Sequence, residues 1–268
     1  MHAPSPLFVS HGAPALAITP GRAGPLLEQL GHEHAGARAI LCVSAHWEAP
    51  VATVSAAARP ATIHDFAGFP RELYGLRYPA PGAPALAADV LARLAAAGIA
   101  THREPERGLD HGAWVPLRYL VPAADIPVTQ LSLIRGGSPA QHYALGTALA
   151  PLLAAGTWLI GSGSLTHNLY EFAGHAPDAP AEPWASEFAD WIAARAADGD
   201  VASLLDYRRR APHAARNHPT EEHLLPLFVV LGAVGGRALA RRAAGTTYGV
   251  LVMDALEPAS ASAPRAAA

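Results

Sequence analysis

Fourteen histidines in a chain of 268 residues carry most of its chemical information, and three of them share one placement. His11 directly follows the apolar run Leu7-Phe8-Val9-Ser10, and His46 follows Leu41-Cys42-Val43-Ser44-Ala45. His167 follows Trp158 to Ser162, after the turn Gly161-Ser162-Gly163-Ser164. Each run reads as a short β-strand, rich in β-branched, aromatic or leucine residues and bounded by small or turn residues. Ligands of open α/β sheets bind outside the carboxyl ends of the strands, so three strands would deliver three imidazoles to one edge of a sheet. A fourth histidine, His223, stands beside Glu221 and Glu222 in the first turn of a helix expected to open at Pro219. A single histidine after a strand is commonly a hydrogen-bonded loop residue; the repeated placement is what argues for convergence. Imidazole is the commonest metal-ligating side chain and suits zinc, iron and copper. Three protein ligands with open positions make a catalytic site, whereas four closed ligands make a structural one. The one cysteine, Cys42, cannot form an internal disulfide or a cysteine-rich structural site, which favours the open arrangement.

The other candidates are more ambiguous. His111, in Leu109-Asp110-His111-Gly112-Ala113-Trp114, is either part of a turn stabilised by the Asp110 side chain or an acid/base whose tautomer Asp110 fixes. His64, in Thr62-Ile63-His64-Asp65-Phe66, carries the same alternatives. It lies in a non-periodic stretch, residues 50–83, rich in Pro, Gly and aromatics; a loop that long usually covers or forms a site. His218 is expected at a helix N-terminus facing solvent. His2, His32, His34, His102, His142, His175 and His213 are expected on the surface, and Arg208 to Arg210 with Arg241-Arg242 on solvated faces.

Composition closes several routes. All 19 basic residues are arginine, which excludes a Schiff-base lysine, a P-loop lysine and a lysine general base. The glycine-serine turn lacks the spacing of a dinucleotide fingerprint, and no Gly-x-Ser-x-Gly elbow surrounds Ser162 or Ser164. A formal charge of −3 gives no electrostatic case for nucleic acid or an anionic membrane. No apolar stretch approaches the roughly 20 residues of a membrane span, and Met1 to Ser10 does not read as a secretory signal, so a cytoplasmic protein is expected.

The elements needed to position these residues follow from periodicity. Strands are expected at Pro6–Ser10, Ala39–Ser44, Val128–Leu133, Trp158–Ser162 and Thr247–Met253. Helices are expected from Pro84 to Ala97, from Ser138-Pro139 to about Leu149, from Pro183 to Ala197, and from Pro219 to Leu231 with a kink at Pro226. Apolar residues make up 51% of the chain, enough for a sizeable core. Strands alternating with helices imply an α/β fold: a single domain over residues 1–256 with a central mixed, largely parallel sheet flanked by helices. Residues 257–268, mostly Pro, Ala and Ser, are expected to form a disordered tail.

Six stretches occur in a telling order: Ser10-His11-Gly12-Ala13-Pro14; Ser44-Ala45-His46-Trp47; Thr62 to Pro70, continued by Leu73-Tyr74 and Tyr78-Pro79-Ala80-Pro81-Gly82; Leu109 to Trp114; Ser164-Leu165-Thr166-His167-Asn168-Leu169; and His218-Pro219-Thr220-Glu221-Glu222-His223. Together they resemble the LigB-type (class III) extradiol ring-cleavage dioxygenases, and within them the DOPA 4,5-dioxygenase-like branch. The resemblance runs from about Leu7 to Met253. It implies a non-haem metal enzyme of aromatic compound catabolism that opens a catechol ring beside its hydroxyls with O₂. One divalent metal is implied, Fe(II) for activity or Zn(II) as bound. By the same resemblance His11 and His46 match metal ligands. His223 stands where the protocatechuate-type enzymes place a glutamate and the DOPA-type branch a histidine. His167 matches an active-site acid/base, with a second reading in which it also approaches the metal, and His111 matches a second histidine near the substrate. His64, Phe66 and Tyr74, with Phe69 and Tyr78, would wall the aromatic ring. A catechol and O₂ are the partners implied, and a homodimer is an open expectation. A zinc-dependent hydrolase, or a non-catalytic protein binding a metal or aromatic ligand at the same site, remains the alternative at this point.

Overall fold

The computed structural model describes residues 4–259. Among the described residues ten strands run in chain order as β1 (Leu7–Ser10), β2 (Ala39–Ala49), β3 (Ala52–Ser55), β4 (Thr101–Glu104), β5 (Val128–Ile134), β6 (Thr157–Gly163), β7 (Leu239–Arg242), β8 (Thr246–Thr247), β9 (Leu251–Val252) and β10 (Ala255–Pro258). Eight of them form one sheet in the order β4-β3-β5-β2-β6-β1-β10-β7, with β8 and β9 paired apart from it. The centre, β5-β2-β6-β1, is parallel, whereas β3 meets β5, and β10 meets β1 and β7, antiparallel. This is the expected α/β domain with a mixed, largely parallel sheet.

The central strands read as continuous apolar runs because both faces of the sheet are covered. Side chains alternate between the two faces with period two. Leu7, Val9, Ile40, Cys42, Trp158 and Ile160 pack into one core with helices α1 (Ala23–Glu33) and, further along the chain, α4 (His111–Leu120). Phe8, Leu41, Val43, Leu131, Leu133 and Leu159 pack into the other with α3 (Pro84–Ala96), α5 (Pro139–Ala154) and α10 (Leu225–Ala233). Deleting a buried leucine from either layer costs roughly 2–5 kcal/mol, so the layers hold the sheet edge firmly in place.

Several boundaries differ from expectation. The strand expected to end at Ser44 runs to Ala49 through an irregularity in which the five steps from Val43 to Glu48 face only two on β5, Leu131 to Leu133. The extra residues bulge out and re-aim the side chains there, His46 among them. Thr247–Met253 is not one strand: Tyr248 and Gly249, both at positive φ, fold it into the tight turn that joins β8 to β9. The helix expected from Pro219 begins only at Leu225, so Pro226 sits in its first turn, where its missing N–H costs nothing, and makes no kink. Residues 50–83 hold β3 and the short helix α2 (Arg71–Gly75) within the loop. Glu257 and Pro258, assigned to a disordered tail, are the last residues of β10, which is held between two strands; residues 260–268 lie outside the described residues.

Candidate active site

His11, His46 and His223 meet, their ligand atoms lying within 4.8 Å of one another. Three separate structures deliver them. His11 leaves the end of β1, tied by its own N–H to the Gly163 carbonyl at 2.9 Å. His46 stands in the bulged part of β2. His223 lies in the turn before α10, and its carbonyl accepts the Ser164 N–H at 2.8 Å. Two glycines are required for the approach. A Cβ at Gly163 would lie 2.0 Å from the His223 oxygen, and one at Gly112 would lie 2.4 Å from Ser44 Oγ and 2.9 Å from the His46 ring.

Hydrogen bonding at the far nitrogen of each ring decides what the near nitrogen offers. The Ser162 hydroxyl donates to the Gly112 carbonyl, so His11 Nδ1, 3.0 Å from Ser162 Oγ, must be the donor of that pair. His223 Nδ1 donates to Glu222 Oε1 at 3.0 Å. His46 Nδ1 faces the Asp65 carboxylate at 3.8 Å. With their protons on Nδ1, His11 and His223 each carry a bare lone pair on Nε2, and His46, whose Nδ1 has no partner within hydrogen-bond distance, is free to turn the same face inward. Nε2 of His11 and His46 are 2.9 Å apart, and Nε2 of His223 is buried with no partner at all. Lone pairs packed this closely repel unless a cation or proton lies among them, so the donor set fits one divalent ion. Burial, reinforced by neighbouring imidazoles, pushes the pKa values of His11 and His223 well below the usual histidine range. Burial takes His46 down to about 3. All three are thus the neutral form that a metal needs.

Two further histidines flank this cluster. His167 follows β6 as expected, its ring stacked on His223 with centroids 3.4 Å apart. Burial lowers its pKa to about 4. His111 opens α4, 3.8 Å between ring centroids from His46. The expectation that Asp110 fixes the His111 tautomer is not what the structure shows. Asp110 is fully buried and caps α4, accepting from the Ala113 N–H, the Ser44 hydroxyl, Gln130 Nε2 and Arg107. His111 Nδ1 instead donates to Asp65 Oδ2 at 2.9 Å, and Asp65 Oδ1 accepts the His111 backbone N–H, also at 2.9 Å. Burial works to raise the Asp65 pKa, but the His111 bonds outweigh it and hold the carboxyl at about 2.

The loop after β3 brings aromatic rings to the rim. Phe66 meets His111 edge-on at 5.7 Å, with Tyr74 at 5.3 Å and Phe69 at 5.4 Å from Phe66. His64 lies 5.7 Å from Phe66 and bonds the Leu76 carbonyl at 3.2 Å. Tyr78, expected in the same wall, is buried in the core with its hydroxyl on the Val121 carbonyl. His218, expected to face solvent, is fully buried and donates from Nε2 to the Leu165 carbonyl at 2.9 Å. His142 is also buried, accepting the Ile134 N–H at Nε2 and donating to the Ser138 carbonyl from Nδ1. His34 is only partly exposed and is paired with Glu257. Arg241 and Arg242 are not free surface charges but bridge to Asp254, Asp190, Glu33 and Glu257. His2 lies outside the described residues.

Sequence reasoning assigned no role to Asp65 or Ser162. Asp65 carried a signal, a carboxylate inside a quoted motif next to a candidate histidine, but its partner is 46 residues away. Glu222 reaches Nδ1 of its neighbour His223 because the pair lies in a turn; on a helix, adjacent side chains would point apart. Among the described residues no helix is long and apolar enough to cross a membrane.

The chain is similar to known proteins over most of its length. Residues 24–250 match the family model described as the catalytic LigB subunit of aromatic ring-opening dioxygenase. A 4,5-DOPA dioxygenase extradiol of Beta vulgaris is 40% identical over 233 residues, covering 85% of this chain and 86% of that one. The protein of the same description from Escherichia coli K12 is 38% identical over 234 residues, covering 86% and 85%. A crystal structure of an uncharacterised protein from Escherichia coli K12 superposes with a TM-score of 0.76 at 31% identity, covering 94% of this chain and 98% of that one.

Proposed function

Because the chain belongs to the LigB family of aromatic ring-opening dioxygenases and is an extradiol ring-cleaving oxidoreductase, we propose that it opens a catechol of the DOPA type at the histidine cluster. The observation that carries the assignment to this site is the convergence of three imidazoles, with Nε2 of His11 and His46 2.9 Å apart and Nε2 of His223 buried without a partner, beside two further histidines and an aromatic rim.

His11, His46 and His223 would hold the metal. Bound there, a divalent ion supplies open positions for the two catechol oxygens and O₂ and makes the hydroxyls more acidic. Three neutral imidazoles leave the ion its full +2 charge, which favours retention of zinc; Fe(II) is the ion we assign to ring cleavage. His167 takes the proton of one catechol hydroxyl and returns it as the ring opens. Its neutral ring, with neither nitrogen bonded to another described residue, is free to do both. His111 presents Nε2 to the same substrate. Phe66, Tyr74 and His64, with Phe69, offer ring faces and edges against which the catechol plane packs, fixing its approach. Overall both atoms of O₂ enter the product and one carbon–carbon bond beside the diol breaks. The single, fully buried Cys42 is in keeping with a cytoplasmic enzyme.

Reconstitution with Fe(II) under anaerobic conditions, then addition of a catechol panel including DOPA and exposure to air, tests the assignment. A yellow ring-opened product that requires Fe(II) is the expected result. Hydrolysis of an ester panel with Zn(II) and no ring cleavage with Fe(II) would overturn it.

A further inference from the structure

Asp65 spans two histidines with different duties. Its Oδ2 lies 2.9 Å from His111 Nδ1 and 3.8 Å from His46 Nδ1, while its Oδ1 accepts the His111 backbone N–H at 2.9 Å. A carboxylate only accepts, so the His111 ring proton must sit on Nδ1. The two-point grip, ring and backbone of one residue, also fixes the rotation of the imidazole against the start of α4. The Asp65 side chain is only 24% exposed and the His111 side chain 7%, so solvent does not readily replace either bond.

We propose that Asp65 is a positioning residue that locks His111 in the Nδ1–H tautomer, so that the bare Nε2 faces the substrate as a proton acceptor. This rests on the placing of the substrate beside His111 under the proposed function. Balanced over the step, the catechol hydroxyl that His167 does not serve gives its proton to Nε2, the oxygen keeps the bonding pair, the resulting imidazolium is held by the Asp65 carboxylate without transfer of the Nδ1 proton, and the Nε2 proton leaves to the ring-opened product or to water before the next turnover. Asp110, the neighbour in sequence, has no part in this.

Asp65→Asn is the informative variant because it keeps the shape while removing one acceptor. An amide cannot accept both the backbone N–H and the ring N–H, so its NH₂ group faces one of them. The expected result has two parts. In the Zn(II)-loaded protein, ¹⁵N-histidine spectra show His111 as the Nδ1–H tautomer, and Asp65→Asn loses that signature while metal content stays the same. In the Fe(II)-loaded protein, kcat for the catechol falls about 100-fold, with KM changed less than about 3-fold. Asp65→Glu, which keeps the carboxylate, recovers part of both. An Nε2–H tautomer in the unaltered protein, or an unchanged tautomer and kcat in Asp65→Asn, overturns the proposal. Because the spectra need no turnover, they decide it even if no catechol is cleaved, in which case it is the proposed function that fails.

Discussion

His111 and His167 flank the same three histidines, yet the protein holds them in opposite ways. His111 is gripped through Nδ1 and its own backbone by a carboxylate from a different loop. His167 is placed by its backbone, whose N–H donates to the Asn217 carbonyl at 3.0 Å, and by stacking on His223; among the described residues nothing bonds its ring. One histidine therefore has a fixed proton and a fixed orientation. The other has a fixed position and an unassigned proton. A ring with both nitrogens free can take a proton on one side and release it on the other, whereas a ring held at Nδ1 exchanges protons only through Nε2 and in one direction. The different surroundings thus argue for a division of labour that residue type alone, histidine in both cases, does not show.

The comparison can be broken first at its base. His11→Ala or His46→Ala takes one imidazole out of the proposed metal site between the two flanking histidines, and the expected result is loss of bound metal by elemental analysis and of ring cleavage to background. Next, His167→Ala should retain metal and reduce kcat by roughly 1000-fold, within the range for a lost general acid/base. A His167→Ala protein that turned over catechols normally would remove that residue from the mechanism. His111→Ala should cost less, about 100-fold, and combining it with Asp65→Asn should add little, since the two act as one unit. Additive losses in that double-mutant cycle would separate Asp65 from His111.

The smallest effect sharpens the contrast in support. The His111 side rests on an ionised carboxylate, the His167 side on neutral His218, whose ring bonds the Leu165 carbonyl two residues before His167. Burial holds His218 at about 4, against about 6.5 in an unfolded chain. The folded state therefore binds the proton more weakly than the unfolded state. Its stability is full above pH 6.5 and declines as pH falls from there toward 4, by at most about 3 kcal/mol for this residue. Urea denaturation of the metal-free protein at pH 7 and pH 5 should show the decline, and His218→Gln should flatten it. Equal pH dependence in the two proteins would show that the His167 side does not rest on this residue.

Much of the frame is legible in the chain. The strands expected at Leu7, Ala39, Val128 and Trp158 are β1, β2, β5 and β6, the four that form the parallel centre, because a strand buried on both faces must be written almost entirely in apolar residues. The outer strands β3, β4, β7 and β10 were missed. Each is only four residues long, and β4, Thr-His-Arg-Glu, carries no apolar pattern; it exists because β3 offers it hydrogen bonds. His218 and His142 read as surface residues since their neighbours in sequence are polar or helical, and only the packed helices around them make them interior.

At the site the division is sharper. Residue type and placement after apolar runs determined that imidazoles would gather at the carboxyl edge of a sheet, and that no lysine, thiolate cluster or nucleotide loop would compete with them. Which nitrogen each ring offers, and which carboxylate stands behind it, was decided only in three dimensions. Asp110 adjoins His111 in sequence yet caps a helix, while Asp65, far along the chain, takes the ring proton. A tautomer is set by whatever acceptor lies within about 3 Å of the nitrogen, and such neighbours are chosen by how loops cross in the folded protein rather than by adjacency along the backbone.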